Sequence, residues 1–189
     1  MFSSTRGVTT SLLALVLCAG VTGLRAHAGN DNRAPEVPAA IQVPEGNKVS
    51  FHAYAVGVQI YHATLSPAGA LVWTFTGPEA VLYDSDGNVV GIHYASAAGP
   101  TRPAWETESG SLVIGAVVPP RVTVDSSAIP WLLLRAVTNS GPGVLDGTTY
   151  IQRVNTAGGL APATAPTEFG QEARVPYTAE YYFYREAKQ

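Results

Sequence analysis

Leu71-Val72-Trp73-Thr74-Phe75-Thr76 is the stretch whose reading decides the fold. Leu71, Trp73 and Phe75 share one side of an extended chain, and Val72, Thr74 and Thr76 share the other. That period of two belongs to a half-buried strand, not to a helix. Upstream, Lys48 to Val56 and Val58 to Ala63 read as strand pieces joined at Gly57, where a lone glycine marks a bulge. Downstream, Ala80 to Tyr83 and Asn88 to Tyr94 flank Asp84-Ser85-Asp86-Gly87, a hairpin signal because Gly87 can adopt a positive φ. Ser111 to Val118, Thr148 to Asn155 and Ala179 to Tyr184 continue the series.

Trp131 to Val137 admits two readings. Asp125-Ser126-Ser127 could cap a helix with Pro130 in its first turn. The apolar run is short and bounded by Pro130 and Asn139-Ser140-Gly141, and its length favours a buried central strand. A short helical turn is expected around Glu168 to Glu172. About nine strands without intervening helices predict a single all-β domain, an antiparallel β-sandwich or a closed β-barrel with little helix. Trp73, Phe75, Leu133 and Val175 are its expected core residues.

The N-terminus reads differently. Arg6 precedes an uncharged apolar run from Ser11 to Leu24, and Ala26-His27-Ala28 fits a small-x-small cleavage site. The run is short for a spanning helix of roughly 20 residues. Residues 1–28 are therefore expected to be a signal peptide, 29–40 a flexible lead-in and 41–186 the β domain. The expected location is extracytoplasmic, in the periplasm or secreted. Cys18 is the only cysteine, so the processed chain would hold no disulfide, thiol nucleophile or cysteine-ligated zinc. Without Arg6 and Arg25, nine basic side chains face fourteen acidic ones. That balance, with no basic cluster, argues against nucleic-acid partners, and no later segment could span a bilayer as a helix.

Candidate chemistry concentrates in one stretch: His93-Tyr94, then Gly99-Pro100, then Trp105-Glu106, followed by Gly110-Ser111. Imidazole, indole and carboxylate together suit acid–base work or a polar ligand held against a ring. His93 is the natural titrating group, and Glu106 would orient it or carry a second proton. The plain alternative makes Trp105 a core anchor, Glu106 a partner of loop backbone and His93 a strand cap. Gln59, Tyr61, Arg153 and Asn155 form a second set. Ile151, Arg153 and Asn155 fall on one face of their strand, and an arginine beside amides can clamp a carboxylate, phosphate or sugar. The alternative is a structural network in which Arg153 bonds loop carbonyls. His52, His62 and His93 lack metal-ligand spacing, and Asp84 and Asp86 lack the rest of a calcium loop. No nucleophile elbow, phosphate loop or dinucleotide fingerprint occurs, so no cofactor or metal is expected.

Several blocks are similar to one family: Gly57-Val58-Gln59-Ile60-Tyr61, Trp73 to Asp84, Ile129 to Val137, Tyr150 to Pro162 and Ala173 to Tyr184. Over about residues 40 to 184 the chain resembles the exported bacterial and fungal proteins called domain of unknown function 3455. The resemblance implies recurring motif residues but assigns them no role. It also implies cysteines near positions 63 and 166 in many relatives, where this chain has Ala63 and Pro166. The leading expectation is a non-catalytic binding module for a small molecule, glycan or protein surface. The rival is an extracytoplasmic hydrolase or isomerase using His93 and Glu106 as proton carriers, with Arg153 as a clamp. The ligand and the oligomeric state have no signature in the residues.

Overall fold

A computed structural model describes residues 33–97 and 101–188. The expected leader with Cys18, and the Gly99-Pro100 pair, lie outside the described residues. Eight strands follow one another: β1 (Asn47–Leu65), β2 (Leu71–Tyr83), β3 (Val89–Ala95), β4 (Pro103–Thr107), β5 (Leu112–Val122), β6 (Trp131–Ser140), β7 (Thr148–Gly158) and β8 (Glu172–Glu186). Each pairs antiparallel with the next, and β8 returns to pair with β1. The sheet is thus a closed up-and-down barrel, and of the two expected architectures the barrel is the one realised. Among the described residues the one helical element is a 3-10 turn, Ala39–Ile41, and no helix is long and apolar enough to cross a membrane.

The strand pieces regroup. Gly57 does not break β1: Val56, Gly57 and Val58 pair in register with Val81, Ala80 and Glu79. Its reason is space. A Cβ there would lie 2.2 Å from the Glu79 carbonyl oxygen and 2.5 Å from the Ala80 Cβ. The bulge sits further on, opposite Ile60 and Tyr61, where β2 carries the extra residue Thr76. Leu71–Thr76 and Ala80–Tyr83 are one strand, because Gly77 and Pro78 stay extended opposite Ile60 and Gln59. Trp131 opens β6, as its length implied. Around Glu168 the chain makes a turn, with the Gln171 N–H on the Glu168 carbonyl at 3.3 Å, and no helix. The Asp84–Gly87 hairpin forms as expected, with Gly87 at φ 84° and the Asp84 carboxylate accepting the Asp86 and Asn88 N–H groups.

One end of the barrel is filled. Leu145, in the β6–β7 loop, is fully buried and joins the core, with its N–H on Ser111 Oγ at 3.3 Å. Phe183 packs there against Phe51 and Trp105, at ring-centroid distances of 5.5 and 5.9 Å. The lead-in also contributes: Ile41 is fully buried, and its carbonyl accepts Gln152 Nε2 at 2.7 Å on the outer side of β7. Tyr184 donates to the same amide.

The expected core residues are only partly core. Leu133 is buried, but on the outer face, since its neighbours Leu132 and Leu134 point inward. Val175 is half-buried. Phe75 is 49 % exposed, because β2 begins at the open end, beyond the filled interior. Trp73 is half-buried, its indole N–H bonded to the Thr164 carbonyl at 2.9 Å. Gly57→Ala should lower stability by about 1–3 kcal/mol in denaturant unfolding, the usual scale of overpacking, whereas Val56→Ala, at an exposed position on the same strand, should stay within about 0.5 kcal/mol.

Candidate functional site

Strand alternation selects what enters the barrel. His93 pairs with Trp105 across β3 and β4, and both point inward. Arg153 on β7 lies between Leu132 on β6 and Tyr181 on β8. These five strands carry side chains to one cavity of about 430 Å³. It lies towards the open end, where Phe75, Pro78, Ala95 and Pro103 contribute further wall and Arg102 and Arg121 also line it. Arg121 reaches that position because the β5–β6 ladder breaks between Val118 and Val122. The opposite side of the interior is occupied: Gln59 and Tyr177 crowd the backbone of Gly159, and the Tyr61 hydroxyl donates to its carbonyl at 2.7 Å.

The His93 ring stacks on the Trp105 indole at 4.5 Å with a 10° interplanar angle, and Tyr181 meets the indole edge-on at 5.3 Å. Nδ1 of His93 lies 2.8 Å from the Ala104 carbonyl. A carbonyl can only accept, so Nδ1 carries the proton and Nε2 is left as an acceptor. Burial pushes the imidazole down to about 3, the Ala104 carbonyl partly opposes this, and the Arg153 charge adds to the fall. His93 is therefore a neutral ring throughout the ordinary pH range. The expectation of a switch near neutrality is corrected, the physical reason being complete enclosure.

Arg153 is the unusual member. Its side chain is 8 % exposed, and Nε and Nη2 both donate to the Pro130 carbonyl, at 3.1 and 2.7 Å. Among the described residues no Asp or Glu pairs with it. Its charge reaches the tyrosines around it: burial raises Tyr61 and Tyr181, and Arg153 opposes both shifts. Among the described residues Trp105 Nε1 is a buried donor without an acceptor, while the Gln59 amide lies against the Tyr177 hydroxyl.

Other expected site residues lie elsewhere. Glu106 follows Trp105 on β4 and so points outward, where it accepts the Tyr94 hydroxyl at 2.8 Å. The proposed proton-carrying pair is thereby divided by the barrel wall. Asn155 does not continue the Ile151–Arg153 face. Its φ of 50° and the break in β7–β8 pairing after Val154 end the alternation, and its amide donates to Glu180 Oε1 at 2.9 Å outside. Burial by the surroundings raises the Glu180 pKa less than its hydrogen bond with His52 lowers it. His52 pairs with Glu180 and His62 with Glu172, both away from His93. Among the described residues no group of three or more His, Cys, Asp or Glu could hold a metal ion. Tyr181, Leu132, Arg102 and Arg121 were not among the expected site residues. Tyr181 carried a signal in its strand of alternating rings; the two mouth arginines carried none.

The His93 linkage has a definite sign. Its folded pKa lies below the unfolded value of 6.5, so the unfolded chain binds the proton first, and stability present above that value is lost as pH falls towards 3. Urea unfolding of the protein and of His93→Gln, followed from pH 7 to pH 4, should show a difference with a slope approaching roughly 1.4 kcal/mol per pH unit below pH 6. A flat difference would mean that the imidazole is solvated.

No curated protein and no solved structure matches the chain. A family model does, over residues 44–185, and its description is protein of unknown function (DUF3455). That span takes in the whole barrel but for Glu186, the last residue of β8, and every residue of the cavity, and the chain belongs to this family.

Proposed function

We propose that the protein is a binding module that takes a small organic molecule into the open end of its barrel. The observation that carries this reading is the cavity of about 430 Å³ beside the His93–Trp105 stack. An eight-stranded barrel has an interior just wide enough either to be filled by side chains or to hold one small ligand. Here one end is filled and the other is not. The volume falls within the roughly 300–1,000 Å³ common for ligand sites, and the walls combine apolar surface with a few polar groups, as such sites do.

The rival reading as a hydrolase or isomerase required His93 and Glu106 to act on one substrate. Their separation by the barrel wall removes its motive. The leader-like stretch from Arg6 to Ala28 supports an extracytoplasmic setting for the binding role.

A neutral apolar dye, N-phenyl-1-naphthylamine, tests the cavity without prejudging charge. Its fluorescence should rise and saturate with the protein. Val117→Trp, which places an indole at a cavity-lining position, should reduce that signal at least about tenfold in affinity, a loss of roughly 1.4 kcal/mol, while far-UV circular dichroism stays unchanged. Saturable binding that Val117→Trp leaves intact would place the dye elsewhere and sink this reading.

A further inference from the structure

We propose that the molecule this cavity takes is an organic monocarboxylate with an apolar body, its carboxylate held by Arg153. The inference rests on the binding-module reading and adds the chemical class of ligand.

Three observations converge. First, Arg153 is a buried cation without a counter-ion. Its described acceptors are both neutral, the Pro130 carbonyl and the Tyr181 hydroxyl beside it. A charge withdrawn from water without an opposite charge is destabilising, and an anion arriving in the cavity relieves it. Second, among the described residues none of those lining the cavity is acidic, although the whole chain is net acidic at −3. Its charged lining groups are Arg153, Arg102 and Arg121. A low-dielectric well with one sign of charge concentrates ligands of the other sign. Third, donors exceed acceptors in the interior. Arg153 has N–H groups beyond the two on Pro130, while Trp105 Nε1, on the cavity wall, is buried and has no acceptor among the described residues. A carboxylate brings acceptors only, and guanidinium matches it in planar, forked geometry.

The body of the ligand follows from the walls. Leu132, Leu134, Val117, Phe75 and Pro78 offer carbon surface, which a sugar or free phosphate would leave dry and unmatched. A single carboxylate on a ring or short chain satisfies both halves of the site.

The test compares acids with alcohols of equal body. Isothermal titration of the purified protein with 3-phenylpropanoate and octanoate, against 3-phenylpropan-1-ol and octan-1-ol, is run at pH 7 and fixed ionic strength. The acids should bind about tenfold to a hundredfold more tightly, the scale of a hydrogen bond to a charged group. Acetate, lacking the body, should not bind at the same concentrations. Arg153→Met should bring the acids to the level of the alcohols or below. Arg102→Gln with Arg121→Gln should weaken the acids several-fold at low salt and leave the alcohols unchanged, a readout that holds even if Arg153→Met fails to fold. Alcohols binding as tightly as acids to the unaltered protein would overturn the carboxylate assignment while leaving the binding module standing. If acids, alcohols and the naphthylamine dye all fail to bind, both readings fall together.

Discussion

The seam between β1 and β8 is the constraint on which the rest of the molecule depends. It runs from Asn47 opposite Glu186 to His62 opposite Glu172, and it joins the first strand of the chain to the last. A sheet closed in this way has no exposed edges to pair with other chains. Closure also bends eight strands round a narrow interior, so side-chain volume must be rationed across the seam. In the middle of β1 the inward positions are small: Ala53, Ala55 and Gly57. On β8 their partners include large rings, with Ala53 opposite Tyr181 and Gly57 opposite Tyr177. Small against large lets both strands approach while the rings fill the axis. The overlap of a Gly57 Cβ with Ala80 and Glu79 is the same constraint felt on the other side of β1.

Across the barrel the balance is reversed, and that asymmetry makes the cavity. Gly77, Ala95, Gly115 and Ala116 line it, and none of them carries a side chain long enough to reach the axis. A Cβ on Gly115 would come within 3.1 Å of the Trp105 ring, so the indole itself holds that position small. The rings of Tyr181 on β8 and Trp105 on β4 meet edge to face inside the barrel, and the cavity lies beside them. Arg153 also lines that cavity. Its anchor is the Pro130 carbonyl, just before β6, which accepts both Nε and Nη2. A preorganised cation of this kind needs little reordering to receive an anion, which lowers the entropic cost of binding.

Much of the fold was legible because strand alternation is a local property. Leu71 to Thr76, the Asp84–Gly87 hairpin and the short apolar run of β6 all announced themselves through spacing and turn residues. Closure was not local. Nothing in Glu172 to Tyr184 names Asn47 to His62 as its partner, and sandwich and barrel share one periodicity. β4 escaped notice because Pro103-Ala104-Trp105-Glu106-Thr107 is short, begins with proline and lacks β-branched residues before Thr107. The site divided along the same line. His93, Trp105, Arg153, Gln59 and Tyr61 were recognisable as chemically notable residues, and all five point into the barrel or its mouth. Glu106 was grouped with Trp105 because the two are adjacent in sequence, yet adjacency on a strand means opposite faces. Asn155 shared a face with Arg153 only while the strand stayed regular, and its left-handed backbone ended that. Arg102 and Arg121 became relevant through loop and ladder geometry that no spacing encodes.

The state of His93 bears on what kind of protein this barrel can be. A general acid or base works best when its pKa lies near the operating pH, so that both protonation states are accessible. Here enclosure by Trp105 and Tyr181, the fixed Nδ1–H bond to Ala104 and the nearby guanidinium act together, and burial and charge outweigh the bond. The ring is held in one tautomer and one charge state. In the proposed binding role the ring offers a flat neutral surface with a single acceptor of fixed position, next to a permanent cation. Proton transfer would require the imidazole to become charged beside Arg153, against like-charge repulsion in a low dielectric. An anionic guest imposes no such step. In the proposed binding role His93 and Arg153 therefore divide into a wall and an anchor.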